Sequence, residues 1–159
     1  MKCLVIYDSY FGNTEQIAKA VGTGMGITED NMARVDSVDT ANLQELSVLV
    51  VGSPTRGFRP SERTAAFLKE LPAESLKGVR VAGFDTRLDL DTIEKKAFRF
   101  IVKTGGYAAK HIVERLQKKG GEPALPPEGF LVTGEEGPLG EGELKRAELW
   151  GASLLEDVR

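Results

Sequence analysis

Seven residues, Asp8-Ser9-Tyr10-Phe11-Gly12-Asn13-Thr14, lead from an apolar run ending at Tyr7 into a segment where Ile17, Val21 and Met25 recur every four positions. A strand, a tight loop and a helix start in that order make an anion site. The first amides of a helix have no partner within it, and the helix dipole favours negative charge at that end. Ser9 and Thr14 add hydroxyl donors, and Gly12 lets the backbone come close to an oxyanion. No Lys or Arg lies between Asp8 and Gln16, so a dianion bound there relies on neutral donors. That separates the loop from a Walker loop, whose Gly-x-x-x-x-Gly-Lys-Ser/Thr pattern is absent from the chain. The same residues also suit a plain capped helix start, with Asn13 or Thr14 as the cap. Both readings stay open on the loop alone.

The elements that must position this loop are legible as apolar runs. They are Cys3 to Tyr7, a weak run at Met32 to Val35, Val48 to Val51, Val79 to Phe84, and Phe130 to Val132. Continuous rather than alternating apolar strands point to a parallel sheet buried on both faces. Helical spacing lies between them. Ala18 joins Ile17, Val21 and Met25; Ser61 caps a helix through Glu70 with Ala65 and Leu68 facing inward; Ala108, Ile112 and Leu116 mark another, ended by Gly120-Gly121; Leu144, Ala147, Gly151, Leu154 and Val158 mark the last. Strand–helix alternation calls for right-handed crossovers and a doubly wound α/β sheet, here one domain over 1–159. Glu122 to Leu125 suggests a short edge piece. Ile93, Ala97, Phe98 and Ile101 suit either a short helix or a long irregular loop. Gly22-Thr23-Gly24-Met25-Gly26 falls at a helix end and Thr104-Gly105-Gly106 follows no strand, so neither is a dinucleotide loop.

Composition narrows the function classes. The 159 residues carry 21 Lys plus Arg against 24 Asp plus Glu, a net charge of −3 that gives no reason to expect nucleic-acid binding. No apolar run approaches the ~20 residues of a membrane span, and a cytoplasmic location is the expectation. The single Cys3 has no partner for an internal disulfide and sits in an apolar run, which suits a buried inert thiol. The one histidine, His111, lies on a charge-rich helix and reads as a surface residue. No metal site is expected.

Two segments together carry a family likeness. Ser9-Tyr10-Phe11-Gly12-Asn13-Thr14 resembles the phosphate loop of flavodoxins, commonly Ser/Thr-x-Thr-Gly-x-Thr, and Gly52-Ser53-Pro54-Thr55-Arg56-Gly57 resembles their second flavin loop. The likeness extends over the whole chain, with no sign of the insertion into strand five that marks long-chain members. It implies a short-chain flavodoxin-like fold with five strands in the order 2-1-3-4-5, helices on both faces and FMN at the switch between strands one and three, an order and location that are the family's own. By resemblance, Ser9, Tyr10, Phe11, Gly12, Asn13 and Thr14 wrap the phosphate. Ser53, Pro54 and Thr55 line the ribityl chain and inner ring edge. Gly57 matches the glycine whose following peptide responds to reduction of the flavin, and Phe84, Asp85, Thr86 and Arg87 begin a third flavin loop.

The chain departs from the family pattern at three places. Phe11 replaces a hydroxyl, Arg56 stands where an apolar ring cover is usual, and the acidic Gly-Asp motif with its stacking tyrosine is not recognisable after Phe84. Phe58 and Tyr107 are candidate replacements for ring contacts. Arg56, Arg59, Arg63 and Arg87 would place positive charge at the flavin edge and raise its potential, unless they pair with acids such as Glu62 and Asp85.

The function expected is FMN-dependent electron transfer to an unknown redox partner, by a monomer or homodimer. One alternative is an FMN-dependent NAD(P)H oxidoreductase, quinone reductase-like, with a substrate shelf built from Arg87 to Thr104. The other is a flavinless interaction module on the same fold. A receiver role is disfavoured, since Gly52-Ser53-Pro54 holds no phosphorylatable Asp after strand three.

Overall fold

The computed structural model describes residues 1–88 and 107–156, apart from the side chain of Thr40. Its strands are β1 (Cys3–Tyr7), β2 (Met32–Arg34), β3 (Val48–Pro54), β4 (Arg80–Leu88), β5 (Glu122–Pro123) and β6 (Glu128–Val132). Its helices are α1 (Asn13–Met25), α2 (Glu62–Glu70), α3 (Ala108–Lys118) and α4 (Glu143–Ser153). All pairings between these strands are parallel, along the path β2-β1-β3-β4-β5, with β6 also paired to β4. The expected order 2-1-3-4-5 holds, and the fifth position is filled twice. β5 pairs with the start of β4 (Arg80↔Glu122) and β6 with its end (Phe84↔Glu128). The run at Phe130 to Val132 is thus the end of β6, and the suggested edge piece is β5.

Alternation along the strands feeds two half-cores. Cys3, Val5 and Tyr7 of β1 face one side with Val48, Val50, Ala82 and Phe84, under α1 and α4. Leu4, Ile6, Leu49, Val51 and Val81 face the other, under α2 and α3. Both sides are apolar, which is why the strands read as unbroken runs. In the first half-core Phe84, Phe130 and Trp150 meet edge to face, with centroids 5.9–6.0 Å apart. Cys3 is buried there and burial pushes its thiol up, as suits an inert sulfur.

Two helical faces and one helix cap differ from expectation. In α2 the inward residues are Thr64 and Leu68, and Ala65 is exposed. Thr64 is tolerated inside because its hydroxyl meets that of the cap residue Ser61 at 2.8 Å. In α4, Leu144 is exposed and Glu143 takes the inward place beside Ala147 and Trp150. Val158 and the candidate helix around Ile93 to Ile101 lie outside the described residues, as does Thr104-Gly105-Gly106. In α1 neither Asn13 nor Thr14 is the cap; the capping position is Gly12, with φ 90° and no side-chain cap bond.

α1 and α4 touch backbone to backbone. A Cβ on Gly24 would stand 1.9 Å from the Glu148 carbonyl oxygen, and one on Gly151 2.2 Å from that of Val21. The glycine cluster at Gly22–Gly26 therefore serves helix packing, and Gly26 ends the helix at φ 75°.

The edge strand β6 is covered by a charged cluster. Glu143 accepts the Leu131 amide at 2.6 Å, and Arg146 bridges Glu143 and Glu128 while lying 4.5 Å over the Phe130 ring. The Arg146 hydrogen bond, helped by the Leu131 amide and opposed by burial, holds the Glu143 carboxyl below its ordinary value. A lowered carboxyl contributes stability above its unfolded value near 4.5 that is lost as pH falls through the folded value. Glu143→Gln should therefore destabilise the fold by ~1–2 kcal/mol at pH 7. The deficit should shrink on acidification below about pH 4.5, measurable by urea unfolding across that range.

Candidate functional site

β1 continues one residue past its end, where the Asp8 amide bonds the Gly52 carbonyl at 3.1 Å. The chain then folds tightly. The Ser9 hydroxyl accepts the amides of Gly12 at 3.1 Å and Glu15 at 3.3 Å. Among the described residues the amides of Tyr10, Phe11, Asn13 and Thr14 meet no acceptor, and those of Asn13 and Thr14 open a helix. The loop presents a bare set of donors at the positive end of α1. The Asn13 side-chain amide donates to the Glu136 carbonyl at 3.0 Å. The Thr14 hydroxyl meets that of Thr86 at 2.8 Å, linking this loop to β4. Tyr10 and Phe11 are exposed on the rim.

Beneath the loop lies charge that no local motif announced. Asp8 is 1% exposed. Its carboxylate accepts the Ser9 amide at 2.9 Å, the Ser61 hydroxyl at 2.6 Å and Arg63 Nε at 3.1 Å, and Arg63 Nη2 lies 2.8 Å from its other oxygen. Arg34, arriving from β2, donates to the Ser9 carbonyl at 2.9 Å. Arg63 is held further up its range by the hydrogen bond to Asp8. Both arginines are remote in sequence, so the absence of cations within the loop did not reveal them.

The second loop leaves β3 at Pro54. The Ser53 hydroxyl is turned inside, donating to the Pro54 carbonyl and accepting the Ser61 amide, each at 2.9 Å. Thr55 N–H bonds the Thr86 carbonyl at 3.0 Å. Arg56 and Arg59 exchange two backbone bonds of 2.8 and 3.0 Å around Gly57 and Phe58. Both central residues have positive φ, 54° and 68°, the pattern of a type I′ turn. A bulky side chain in that region costs ~1–2 kcal/mol, so the turn at Phe58 holds strain. Arg56 lies 4.9 Å and Arg63 5.3 Å from the Tyr10 ring centre.

Phe84, Asp85, Thr86 and Arg87 belong to β4, which runs on to Leu88, and do not begin a loop. Phe84 is core. Asp85 is 0% exposed, grips Arg87 through bonds of 2.7 and 2.8 Å, and accepts the Ala109 amide at the start of α3 at 2.8 Å. Burial raises its carboxyl above the ordinary Asp value even against Arg87. Arg87 lies 3.6 Å over the Tyr107 ring.

These ends enclose a cleft of about 410 Å³. Of the residues expected at a site, Ser9, Tyr10, Phe11, Asn13 and Thr14 line it from the first loop. Pro54, Thr55, Arg56 and Gly57 line it from the second, and Thr86 and Arg87 from β4. Gly12, Ser53, Phe58, Phe84 and Asp85 lie outside the lining. Leu88, Val132 and Glu135 join it unforeseen. The arginine excess is largely paired: Arg87 with Asp85, Arg63 with Asp8 rather than Glu62, and Arg56 within 4.0 Å of Glu135. The Thr55 hydroxyl is buried without a formed hydrogen bond, though close enough to favour the charged form of Asp85. The described residues include no group of three or more His, Cys, Asp or Glu able to hold a metal, and no helix long and apolar enough to cross a membrane.

A family model described as Flavodoxin matches residues 5–150. A flavodoxin of Clostridium saccharobutylicum is 32% identical over 89 residues, a stretch covering 54% of this chain and 56% of that protein, so the match spans about half of each. Among solved structures, a flavodoxin from the domain Archaea superposes with a TM-score of 0.76 at 22% identity, covering 99% of both chains. Oxidised Flavodoxin 1 from Bacillus cereus gives 0.72 at 19% identity over 98% of both. A flavodoxin, WrbA-like protein from Agrobacterium tumefaciens gives 0.71 at 20%, covering 99% of this chain and 96% of the other. At these identities the superpositions speak to the fold.

Proposed function

Because the chain belongs to the flavodoxin family, we propose that it binds FMN in the cleft between the ends of β1, β3 and β4 and carries electrons to and from a redox partner, in the cytoplasm. The observation that carries this reading is the bare donor set at Tyr10, Phe11, Asn13 and Thr14, opening onto a cleft of about 410 Å³. The chemistry of the lining fits the cofactor in three respects. Neutral donors at a helix start suit a phosphate. The buried, unbonded Thr55 hydroxyl suits a polyol chain. Pro54, Gly57 and Leu88 with the Tyr10 ring offer flat and apolar surface for a ring system.

Ser9 to Thr14 would hold the phosphate, with Ser9 shaping the loop from within. Pro54 and Thr55 would lie along the chain, and Arg56, Gly57, Thr86 and Arg87 near the ring. FMN, when bound, supplies transfer of one or two electrons. The protein supplies position, and Arg87, fixed by Asp85 and Tyr107, supplies a rigid wall. No side chain is required as a nucleophile or proton donor.

The test is to purify the protein without added cofactor, record its visible spectrum, and titrate the apo form with FMN and riboflavin. Yellow protein, or FMN binding ~100-fold tighter than riboflavin, is the expected result, since two charge-assisted hydrogen bonds at about 1.5 kcal/mol each give that ratio or more. Absence of binding at millimolar FMN would overturn the proposal in favour of a flavinless module. Rapid bleaching of the bound flavin by NAD(P)H would shift it to the oxidoreductase alternative.

A further inference from the structure

Two carboxylates stand next to the loop that would hold a dianion, an arrangement that by itself repels phosphate. Asp8 directly precedes Ser9 and is buried, where its field is poorly screened. Glu15, in the first turn of α1, lends its amide to the Ser9 hydroxyl. Each meets a cation from elsewhere in the fold. Arg63 binds Asp8 through Nε and Nη2, at 3.1 and 2.8 Å. Arg34 spans both acids, with Nη1 3.6 Å from Glu15 and Nη2 3.7 Å from Asp8, while bonding the Ser9 carbonyl at 2.9 Å. Asp36 stands 4.0 Å from Arg63 Nη1, and the cleft's other charges, Arg56 with Glu135 and Arg87 with Asp85, are paired on its far walls.

We propose that Arg34 and Arg63 set the preference for phosphorylated over unphosphorylated flavin, by cancelling Asp8 and Glu15 behind the loop without touching the ligand. The inference rests on the FMN reading above. It assigns discrimination between FMN and riboflavin to charge balance as well as to the loop's amides. A purely structural brace predicts something different: a loop left misshapen by loss of the arginine stays misshapen when Asp8 is neutralised as well, so the second substitution does not restore the ratio.

The experiment measures dissociation constants for FMN and riboflavin, by quenching of flavin fluorescence, on the apo forms of the unsubstituted protein, Arg63→Met, Arg63→Lys and the double variant Asp8→Asn/Arg63→Met. Arg63→Met leaves Asp8 its bonds from Ser9 and Ser61 and the more distant Arg34 at 3.7 Å, but removes the cation bonded directly to it. It should cut the FMN-to-riboflavin affinity ratio about tenfold, the order expected for one charge acting on a dianion across a partly wet loop. Arg63→Lys should retain most of the ratio. Asp8→Asn/Arg63→Met removes both charges and should return the ratio to within about threefold of the unsubstituted value, even if both affinities fall. Circular dichroism confirms that each variant is folded. Equal loss of both ligands in Arg63→Met, or a double variant no better than the single in its ratio, overturns this inference and leaves the FMN reading standing. Failure of the unsubstituted protein to bind FMN overturns the reading itself.

Discussion

Gly24→Val is expected to lower the thermal unfolding midpoint by about 10 °C or more, a loss of ~3–5 kcal/mol for a domain of this size. A new Cβ would stand 1.9 Å from the Glu148 carbonyl oxygen and 2.9 Å from the Ala152 amide nitrogen, both backbone atoms that no rotamer change can move. α1 and α4 would have to part, opening the half-core that holds Phe84, Phe130 and Trp150. Gly151→Val, whose Cβ meets the Val21 carbonyl at 2.2 Å, should behave alike. The double variant should cost less than the sum, since one separation relieves both clashes. Gly22→Ala is the control. Its nearest neighbour is the Met32 sulfur at 3.1 Å, the adaptable part of a flexible side chain, and the gain in helix propensity offsets the contact. Differential scanning calorimetry separates these outcomes, and a midpoint for Gly24→Val within 2–3 °C of the parent, a change of only ~1 kcal/mol, would contradict the packing described.

Arg87→Met is expected to cost ~3–5 kcal/mol at pH 7, because it strands a wholly buried carboxylate. Asp85 would keep the Ala109 amide and lose both guanidinium bonds. The pH dependence follows from the direction of the Asp85 shift, which is upward even with Arg87 present. A raised acid contributes stability that is full below its unfolded value and lost as pH rises through the folded value. Without Arg87 the folded value climbs further. The destabilisation should therefore be largest near neutrality and shrink as the buffer is taken toward pH 4. Urea midpoints between those limits check it, and a deficit constant with pH would mean that the carboxylate stays charged by another route. The substitution also removes the cation over Tyr107 and one wall of the cleft, so flavin binding should weaken more than the stability loss alone implies.

What could be read before the structure was what local chemistry dictates. The sheet was legible because each strand is apolar on both faces, and the first loop because its hydroxyls, glycine and helix start are contiguous. Misplaced residues share a cause: a polar group was satisfied by a partner the pattern cannot show. Thr64 displaced Ala65 from the inner face of α2 because Ser61 meets its hydroxyl, and Glu143 displaced Leu144 in α4 because Arg146 and the Leu131 amide neutralise it. The support under the phosphate loop was invisible for the same reason. Arg34 reaches Ser9 across 25 positions and Arg63 reaches Asp8 across 55, and only the sheet order brings them together. The resemblance put the start of a flavin loop at Phe84 to Arg87, yet β4 continues to Leu88, its polar residues paired with one another and with α3.

The two half-cores also differ in when they can close as the chain leaves the ribosome. The face under α2 and α3 draws its buried residues from Leu4 to Leu116, so it is complete once that much of the chain has emerged. The face under α1 and α4 draws from Cys3 to Leu155. Until α4 is made, that half-core lacks Ala147, Trp150 and Leu154, and the glycine notch at Gly24 has nothing to receive. The nascent protein thus passes through a one-sided stage, with an early helix waiting on the last one. In that interval the apolar surface awaiting α4 is where a chaperone would hold it or a neighbouring chain would trap it.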